Sequence, residues 1–353
     1  MNLSKKSKEI LIKSDILNWY KKNKRDLPWR KASRKSLPNP YHIFVSEFML
    51  QQTTVGTVKK RFNEFIKKWP SLDDLASKSE STILNFWSGL GYYSRARNLL
   101  KASKIIKKKH ASKIPDNYND LIILPGIGEY TAKAILGIAY NKSVMPLDAN
   151  IERIFVRLYG FKSPILKIKS ELKILSNSYI SKKFSNQLIQ GFMDFGSIIC
   201  TPRNPNCIDC IIKNNCIAFK KNLQKTIPIK SKSNQLKKKK YSRAYIFYNE
   251  NNEILVRRRS SKGMLASMLE IPNDKWVIDK NKLVYDKIVQ NLKKKIQYKG
   301  SIEYSFSHFD LETEVFFANV KKNHFLKYKW MKKNNFKKSG LPTVMKKIIE
   351  VAI

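Results

Sequence analysis

The sequence of 353 residues is poor in acidic side chains: it has 27 Asp and Glu against 70 Lys and Arg, a formal net charge of +43. Like charge of this size repels itself within a compact chain. This charge excess argues against an enzyme that acts on small neutral metabolites, and it favours a protein with a polyanionic partner. An AT-rich genome, whose codons favour Lys, Asn and Ile, accounts for part of the same excess. The charge therefore supports a nucleic-acid partner without establishing one.

Long apolar runs are also lacking. The longest stretches, such as residues 134–140, are far shorter than the ~20 residues of a membrane-spanning helix. Residues 1–22 are studded with Lys and have no apolar core of the kind that a secretory signal needs. We therefore expect a cytoplasmic, nucleoid-associated protein. In that compartment cysteines are usually reduced, so a tight cysteine cluster indicates metal rather than disulfides.

The first 225 residues have the apolar spacing of helices, interrupted by short turns that contain Pro or Gly. Segments that show this spacing are 44–58, 81–90, 131–139 and 151–158. Because no strand pattern separates these segments, the sequence predicts an all-α domain at 1–225.

The composition changes after residue 225. Residues 226–240 (TIPIKSKSNQLKKKK) are polar and basic, which predicts a linker. Strand-like composition follows, and helices are expected near 280–295 and 341–353. The strand-like segments are 245–248, 253–256 and 312–320. The sequence therefore predicts a second, α+β domain at 241–353, in keeping with a chain of this length.

The four cysteines of the chain form one short cluster with the spacing C-x6-C-x2-C-x5-C. They are Cys200, Cys207, Cys210 and Cys216. This concentration indicates four thiolate ligands, which suit both a tetrahedral zinc ion and a cubane iron–sulfur cluster. Zinc ribbons use two C-x2-C pairs on separate knuckles, whereas this loop has one. The 6-2-5 spacing resembles the [4Fe–4S] loop of the endonuclease III superfamily, and this resemblance implies iron–sulfur rather than zinc. Lys213, Lys220 and Lys221 around the loop would face phosphates.

A Leu-Pro-Gly-x-Gly turn at 124–128 links two helical segments. Gly126 and Gly128 would leave backbone amides free at the start of the next helix, where the helix dipole also favours a phosphate. An ordinary tight turn between packed helices is the alternative. An aspartate twenty residues after Gly128 favours the phosphate-binding hairpin.

Two carboxylates have unusual surroundings: Glu47 lies among apolar and amide side chains at an expected helix start, and Asp148 precedes an expected helix. A solvated Glu on a helix face and a helix-capping Asp are the structural alternatives, and capping is common for an Asp in this position. Neither residue alone indicates a catalytic site.

Taken together, these motifs resemble the MutY-type adenine DNA glycosylases of the endonuclease III superfamily. The resemblance covers nearly all of the predicted helical domain. It runs through LPWR (27–30), SEFMLQQT (46–53), GLGYYSRARNL (89–99), LPGIGEYTA (124–132), LDAN (147–150), QGFMDFGSIIC (190–200) and the four cysteines. It implies a helix-hairpin-helix glycosylase with a [4Fe–4S] cluster, acting as a monomer on double-stranded DNA with A:8-oxoguanine or A:G mispairs.

The resemblance implies that Glu47 is the general acid and base, and that Asp148 stabilises the cationic sugar. A protonated Glu47 would deliver a proton to adenine N7 and then activate water. The two roles need different pKa values. We expect Trp29, Leu50 and Val55 to desolvate Glu47, whereas Asp148 at a helix start stays charged.

Further roles follow from the same resemblance. Arg30 and Gln190 would line the adenine pocket, and Tyr130 and Asn150 would support Asp148 and the transition state. The residues expected to enter the duplex around the 8-oxoguanine are Gln52, Leu90 and Tyr92.

Two positions distinguish this chain from related patterns. Endonuclease III has a Schiff-base lysine where this chain has Tyr130, so the resemblance implies one-step hydrolysis that leaves an abasic site. Ala149 replaces the usual Gly of the L-D-G-N motif, and slower turnover is expected because Gly permits positive φ or close DNA approach.

The rival hypotheses are an endonuclease III-like enzyme for oxidised pyrimidines and a non-catalytic iron–sulfur DNA-binding protein.

In the second predicted domain, Phe306, Ser307 and His308 resemble the F-S-H turn with which the Nudix-like domain of this family reads 8-oxoguanine. Without the N-terminal match, a plain surface turn would be favoured. The stretch GMLASMLEIP (263–272) lacks the aromatic residues usual there. The glutamate set of Nudix hydrolases is also missing, which argues against nucleotide hydrolysis.

Overall fold

The structure is a computed structural model that describes residues 5–34, 37–229, 237–260, 263–289, 295–325, 328–336 and 339–353. The chain divides into two compact units. One comprises Met1–Ser77 with Asn98–Ser233, and the other Lys78–Arg97 with Asn234–Ile353. None of the helices in the described part of the chain is long and apolar enough to cross a membrane.

The first unit is mainly helical. Its helices are α1 (Lys5–Asn23), α2 (Pro40–Leu50), α3 (Val55–Lys68), α4 (Leu72–Ala76), most of α6 (Ser94–Lys109), α7 (Tyr118–Ile122), α8 (Glu129–Ala139), α9 (Ala149–Tyr159), α10 (Lys169–Asn177), α11 (Ser185–Ile198) and α12 (Ile217–Lys220). Helix α11 is the central element: most of its side chains are buried, and it packs against α1, α8 and α9. A short antiparallel ribbon, β1 (Ala32–Arg34) with β2 (Leu37–Pro38), was not expected, because strands this short have no readable periodicity.

The sequence predicted one helix over residues 44–58, but the structure has two helices there. Helix α2 ends at Leu50 and α3 begins at Val55, because Gln52 between them has a left-handed backbone with φ of 55°. Glu47 therefore lies near the C-terminal end of α2, not at a helix start. The break turns the chain beside Glu47 and opens a cavity there.

The hairpin between α7 and α8 depends on its two glycines in different ways. Gly126 has φ of 81°, and a Cβ there would meet Asn98 Cβ and Phe48 Cε1 at 2.7 Å, so no larger residue fits. Gly128 is the N-cap of α8 and has open space around it. The first-turn amides of α8 are therefore accessible at this end of the helix.

The second unit is built on a mixed sheet. Its strands are β3 (Lys238–Tyr248), β4 (Glu253–Arg258), β5 (Leu269–Glu270), β6 (Gln297–Ser305), β7 (Phe309–Asn319) and β8 (Lys329–Lys332). The order is β5-β4-β3-β7-β6, with β8 paired to β4, and β3 and β7 run parallel. Helix α13 (Thr343–Ala352) packs on one face, and α5 (Glu80–Trp87) belongs to the same unit.

Side chains of β3 alternate between two apolar cores. Ala244 and Ile246 face one, which includes Val344 of α13, and Tyr245 and Phe247 face the other. The predicted strands and C-terminal helix are confirmed.

Two sequence predictions in this region need correction or fall outside the described chain. Of the helix predicted near 280–295, the described residues 280–289 form 3-10 turns at Lys280–Lys282 and Lys287–Val289 instead, and 290–294 lie outside the described residues. Of the predicted linker 226–240, residues 238–240 begin β3, and 230–236 lie outside the described residues.

Candidate active site

Both candidate carboxylates line one cavity of about 570 Å³ in the helical unit. The α2–α3 break, the start of α8 and the start of α9 supply its walls. The predicted site residues that line it are Trp29, Arg30, Glu47, Leu50, Gln52, Tyr130, Asp148 and Asn150, together with Val55 and Ala149. Residues from five separate motifs therefore meet in one place.

Glu47 is buried, with 6% of its surface exposed. Burial raises its pKa to about 7, nearby Asp148 adds to the rise, and the Tyr130 hydrogen bond opposes it. This is the direction the sequence predicted. At neutral pH the carboxyl group is therefore divided between its acid and its base form.

Asp148 is the N-cap of α9, so the structural alternative for this residue is correct, and it does not exclude a catalytic role. Its carboxylate accepts hydrogen bonds from the Ile151 amide at 2.7 Å and from Asn150 Nδ2 at 2.8 Å. Burial raises the pKa of Asp148, and these hydrogen bonds lower it. The expectation that a helix start alone keeps Asp148 charged therefore omitted the opposing effect of burial.

Ala149 is the first residue of α9 and lies outside the left-handed region of the backbone. A glycine is therefore not required there by positive φ, one of the two reasons given for expecting slower turnover. The other reason, close approach of DNA, is untouched by this observation.

Arg153 connects the Asp148 region to the cysteine loop. Its guanidinium donates to Asn150 Oδ1 at 2.9 Å, to the Gly196 carbonyl at 2.7 Å and to the Cys200 carbonyl at 2.8 Å. A further bond at 3.1 Å reaches the Ala149 carbonyl. One buried cation therefore fixes the two residues that follow Asp148 and the first cysteine at once.

Asp194 was overlooked at the sequence level, although it is the acidic residue of an otherwise uncharged α11. Its carboxylate is fully buried and accepts from Arg25 Nε at 2.6 Å and Arg30 Nη1 at 2.7 Å. Asp194 therefore fixes the Arg30 side chain at the wall of the Glu47 cavity.

Gln190 was expected to line the adenine pocket together with Arg30. It lines an adjoining cavity of about 430 Å³, which also includes Arg30. Its Nε2 donates to Asn186 Oδ1 at 2.9 Å.

The four cysteines line one small cavity of about 20 Å³. The buried Arg157 donates from Nη1 to Cys200 Sγ at 3.4 Å, and burial raises the pKa of Cys210 to about 12. Among the described residues, no group of three or more His, Cys, Asp or Glu side chains is arranged to hold a metal ion.

The other predicted substrate contacts lie in the second unit, around a cavity of about 520 Å³. Leu90 and Tyr92 line it with Phe306, Ser307 and His308, and the Tyr92 and Ser307 hydroxyls are hydrogen-bonded to each other. Phe306 packs on Trp276, with ring centroids 5.4 Å apart. Trp276 therefore supplies an aromatic residue that the stretch 263–272 lacks.

Comparison with known proteins agrees with both units. The HhH-GPD superfamily base excision DNA repair protein model matches residues 45–177, and a NUDIX domain model matches residues 243–351. The adenine DNA glycosylase of Buchnera aphidicola subsp. Schizaphis graminum is 36% identical over 95% of this chain and 97% of that protein. The human adenine DNA glycosylase is 34% identical over 59% of this chain and 39% of that protein.

Among solved structures, a thermostable thymine-DNA glycosylase has a TM-score of 0.55 and 28% identity, covering 61% of this chain and 97% of that one. The helical fold is that of a base-excision DNA glycosylase. Within that class, the chain belongs to the MutY-type adenine DNA glycosylases. It is an enzyme of base-excision repair that removes adenine from DNA.

Proposed function

We propose that the enzyme removes adenine opposite 8-oxoguanine or guanine by one-step hydrolysis, with Glu47 and Asp148 as its catalytic pair. The observation that supports this proposal most directly is that one cavity holds both carboxyl groups, and that the pKa of Glu47 is raised to about 7. In its acid form, Glu47 protonates adenine N7 as the glycosidic bond breaks. In its base form, it then takes a proton from the attacking water. Ionised Asp148 stabilises the positive charge on the sugar.

The chemistry of Tyr130 supports a monofunctional enzyme. Strand cleavage through a Schiff base needs an amine, and Tyr130 presents a phenol, which burial keeps neutral by raising its pKa. The next lysine on α8, Lys133, is 3.0 Å from Glu129 in an ion pair. The abasic-site yield from a duplex with one A:8-oxoguanine pair, without strand cleavage, tests this proposal directly.

The excision rate should depend on pH through both carboxyl groups. Because the pKa of Glu47 is raised to about 7, the proton donor is lost as pH rises through 7, and single-turnover excision should fall. Because burial raises the pKa of Asp148, the sugar-stabilising carboxylate is lost at low pH, above the range of an ordinary Asp. We expect a bell-shaped dependence of the single-turnover excision rate on pH, measured in quenched time courses. A rate that stays constant from pH 6 to about 9 would contradict the proton-donor role.

The same raised pKa affects stability. The folded protein binds the Glu47 proton more tightly than the unfolded chain does. Its contribution is therefore full below the ordinary pKa of 4.5 and is lost as pH rises through about 7.

We propose that Cys200, Cys207, Cys210 and Cys216 hold a [4Fe–4S] cluster. The support is the convergence of all four side chains on one cavity, with the Arg157 cation beside Cys200. Burial raises the pKa of Cys207 and Cys216, and that of Cys210 to about 12, so without a metal these three thiols favour their protonated form. A bound cluster would supply positive iron to ionise them and would tie the loop together.

Protein purified without oxygen should therefore be yellow-brown, with a broad absorbance shoulder at about 400 nm. Metal analysis should find close to four iron atoms per chain, as a cubane cluster requires. A colourless protein with stoichiometric zinc would contradict the proposal and favour the tetrahedral alternative.

We propose that Ser307 and His308 read the base opposite adenine. The Glu47 cavity is proposed to hold the adenine alone, so a second site has to distinguish a damaged partner from thymine. The 520 Å³ cavity offers hydroxyl and imidazole groups beside the apolar wall of Phe306 and Trp276. Leu90 and Tyr92 at the same cavity would fill the space in the duplex that the flipped adenine leaves.

Replacing Ser307 and His308 together with Ala should reduce discrimination for 8-oxoguanine by about 1–3 kcal/mol, as loss of base-edge hydrogen bonds does. Single-turnover rates on A:8-oxoguanine and A:G duplexes measure the effect, and the loss should be larger on the former. Ser301→Ala on β6 is a matched control. Equal losses on both substrates would mean that the turn only stabilises the unit.

We further propose that the turn of Gly126 and Gly128, with the first-turn amides of α8, holds a phosphate of the DNA backbone, and that Gln52 contacts the duplex at the mouth of the Glu47 cavity. Both are supported by their positions beside that cavity. The high positive charge would keep the enzyme, acting as a monomer, on nucleoid DNA in the cytoplasm.

A further inference from the structure

The Leu90–Tyr92 turn has a backbone shape that its own residues do not favour. Gly89 and Gly91 flank Leu90 with φ of 94° and 67°, and Tyr92 follows with φ of 45°. Glycine adopts positive φ readily, but a bulky aromatic residue there is strained. Such strain persists only where the surrounding structure holds the backbone in place. Contacts from outside the turn must therefore maintain its shape.

Arg95 supplies such contacts to three consecutive backbone carbonyls. Its Nη2 donates to the Leu90 carbonyl at 2.9 Å and to the Gly91 carbonyl at 3.1 Å, and its Nε donates to the Tyr92 carbonyl at 3.4 Å. The backbone amide of Arg95 donates to the same Tyr92 carbonyl at 2.9 Å. A planar guanidinium presents several donors in fixed directions, so one side chain can hold the whole turn.

The Arg95 side chain also packs against two aromatic rings. Its guanidinium carbon lies 5.4 Å from the ring centroid of Trp87 and 5.7 Å from that of Tyr92. Arg95 is 5% exposed and Trp87 is fully buried, so these cation–π contacts are shielded from water. Trp87 Nε1 donates to the Gly91 carbonyl at 3.2 Å. Because Trp87 is the last residue of α5, the turn is fixed to the end of that helix.

Tyr92 is the exposed part of the turn, with 41% of its surface accessible. Its hydroxyl is hydrogen-bonded to that of Ser307, and both residues line the 520 Å³ cavity. Arg95 contacts the carbonyl and the ring of Tyr92, so it sets where the Tyr92 hydroxyl lies relative to Ser307.

We infer that Arg95 is a positioning residue for recognition of the base opposite adenine. Arg95 is too deeply buried to reach the duplex, so it acts through Tyr92. It keeps the turn in its left-handed shape, and Tyr92 can then enter the DNA while its hydroxyl stays beside Ser307. This inference rests on the proposed roles of Tyr92 in the duplex and of Ser307 and His308 as readers of that base.

The ratio of single-turnover excision rates on A:8-oxoguanine and A:G duplexes, measured with the full-length protein, tests the inference. Arg95→Met removes every guanidinium donor, and the ratio should fall by about tenfold, a size typical of coupling between contacting residues. Arg95→Lys keeps the charge without the planar set of donors, so its ratio should lie between the two. A wild-type ratio in both variants, or in Arg95→Lys if Arg95→Met does not fold, would overturn the inference.

A double-mutant cycle separates positioning from a general loss of stability. In a Tyr92→Ala background, Arg95→Met should lower the ratio by less than about twofold, because the side chain that Arg95 positions is already gone. The full tenfold loss in that background would show that Arg95 acts independently of Tyr92, and the inference would be wrong.

Leu255→Ala is the matched control for stability. Leu255 is fully buried in the core that Phe247 also faces, so its truncation destabilises the same unit without touching the turn. Thermal unfolding should show the destabilisation, and the ratio should stay at its wild-type value. A loss of the ratio as large as that of Arg95→Met would mean that instability alone produces the effect, which would also overturn the inference.

Failure of the proposed reader has a different signature. If Tyr92→Ala and the joint replacement of Ser307 and His308 with Ala both leave the ratio unchanged, the reader is wrongly assigned, and the inference fails with it. If either change lowers the ratio and Arg95→Met does not, the role of Arg95 alone is wrong.

Discussion

Replacement of Glu47 with Gln is expected to abolish detectable adenine excision while leaving duplex binding nearly unchanged. The amide has the same shape but cannot protonate N7 or ionise to activate water. General acid–base catalysis by a positioned side chain contributes roughly 10²–10⁴-fold to a rate. Glu47 would serve in both halves of the reaction, so we expect the loss at the upper end of this range. Single-turnover excision and anisotropy titration with the same A:8-oxoguanine duplex measure the two effects.

Glu64→Gln is a matched control, since Glu64 lies on the neighbouring helix α3 with 58% of its side chain exposed. It should excise adenine at the wild-type rate. Because Glu47 has a raised pKa, Glu47→Gln should also be at least as stable as the wild type above pH 7, where the buried carboxylate would otherwise ionise. Excision by Glu47→Gln within a few-fold of the wild type would refute the catalytic assignment.

Replacement of Arg153 with Met is expected to impair both the region around Asp148 and the cysteine loop. The change removes the donor of four hydrogen bonds, three to backbone carbonyls and one to Asn150 Oδ1, and the bond to the Gly196 carbonyl is buried. An unsatisfied buried group costs about 1–3 kcal/mol, so destabilisation of at least this order is expected. Asn150 would no longer be fixed beside Asp148, so excision should fall as well. Thermal unfolding, single-turnover excision and absorbance at about 400 nm report the three consequences separately.

Two further variants make this test specific. Arg61→Met removes an arginine from an exposed ion pair with Glu64 and should change stability by less than about 1 kcal/mol. Arg153→Lys keeps the charge but cannot supply the same number and spread of hydrogen-bond donors. Its stability and its excision rate should therefore lie between those of Arg153→Met and the wild type. Wild-type excision by Arg153→Met, together with a lost absorbance shoulder, would show that Arg153 supports the cysteine loop alone.

The position of Glu47 shows where sequence periodicity fails. Apolar spacing continues without interruption from 44 to 58, so one helix was the natural prediction. The break depends on Gln52 in a left-handed conformation, which non-glycine residues seldom adopt and sequence composition does not signal. The motif identified the residue, but the cavity beside it arises from tertiary structure.

Gln190 and Asp194 show a second limit. Four residues apart on α11, they lie on the same helix face, and the sequence could indicate that much. Which of them faces the Glu47 cavity depends on how α1 and the segment around Arg30 pack against that face. Asp194 also carried a signal that went unused, because a single acid in a buried helix requires a cationic partner.

In the second unit, strand composition was sufficient to find β3, β4 and β7, because each buries alternating or continuous apolar side chains. The parallel pairing of β3 with β7 was not predictable, since it joins segments about seventy residues apart. Phe306 was predicted as an apolar wall, but its packing against Trp276 was missed, because Trp276 lies just beyond the stretch in which aromatic residues were sought.

The second unit is discontinuous in sequence, since Lys78–Arg97 belongs to it together with Asn234–Ile353. Ser88 donates a hydrogen bond to the Leu341 carbonyl at 3.3 Å, and a side chain at Gly340 would collide with Asn85. A truncation after the cysteine loop would therefore not yield a complete helical module. Such a truncation would leave α5 and the Leu90–Tyr92 turn without their packing partners in the second unit. Domain-dissection experiments on this enzyme should accordingly compare point variants of the intact chain, because a deletion removes the proposed lesion reader and, in the same step, the partners of the turn that we propose enters the DNA.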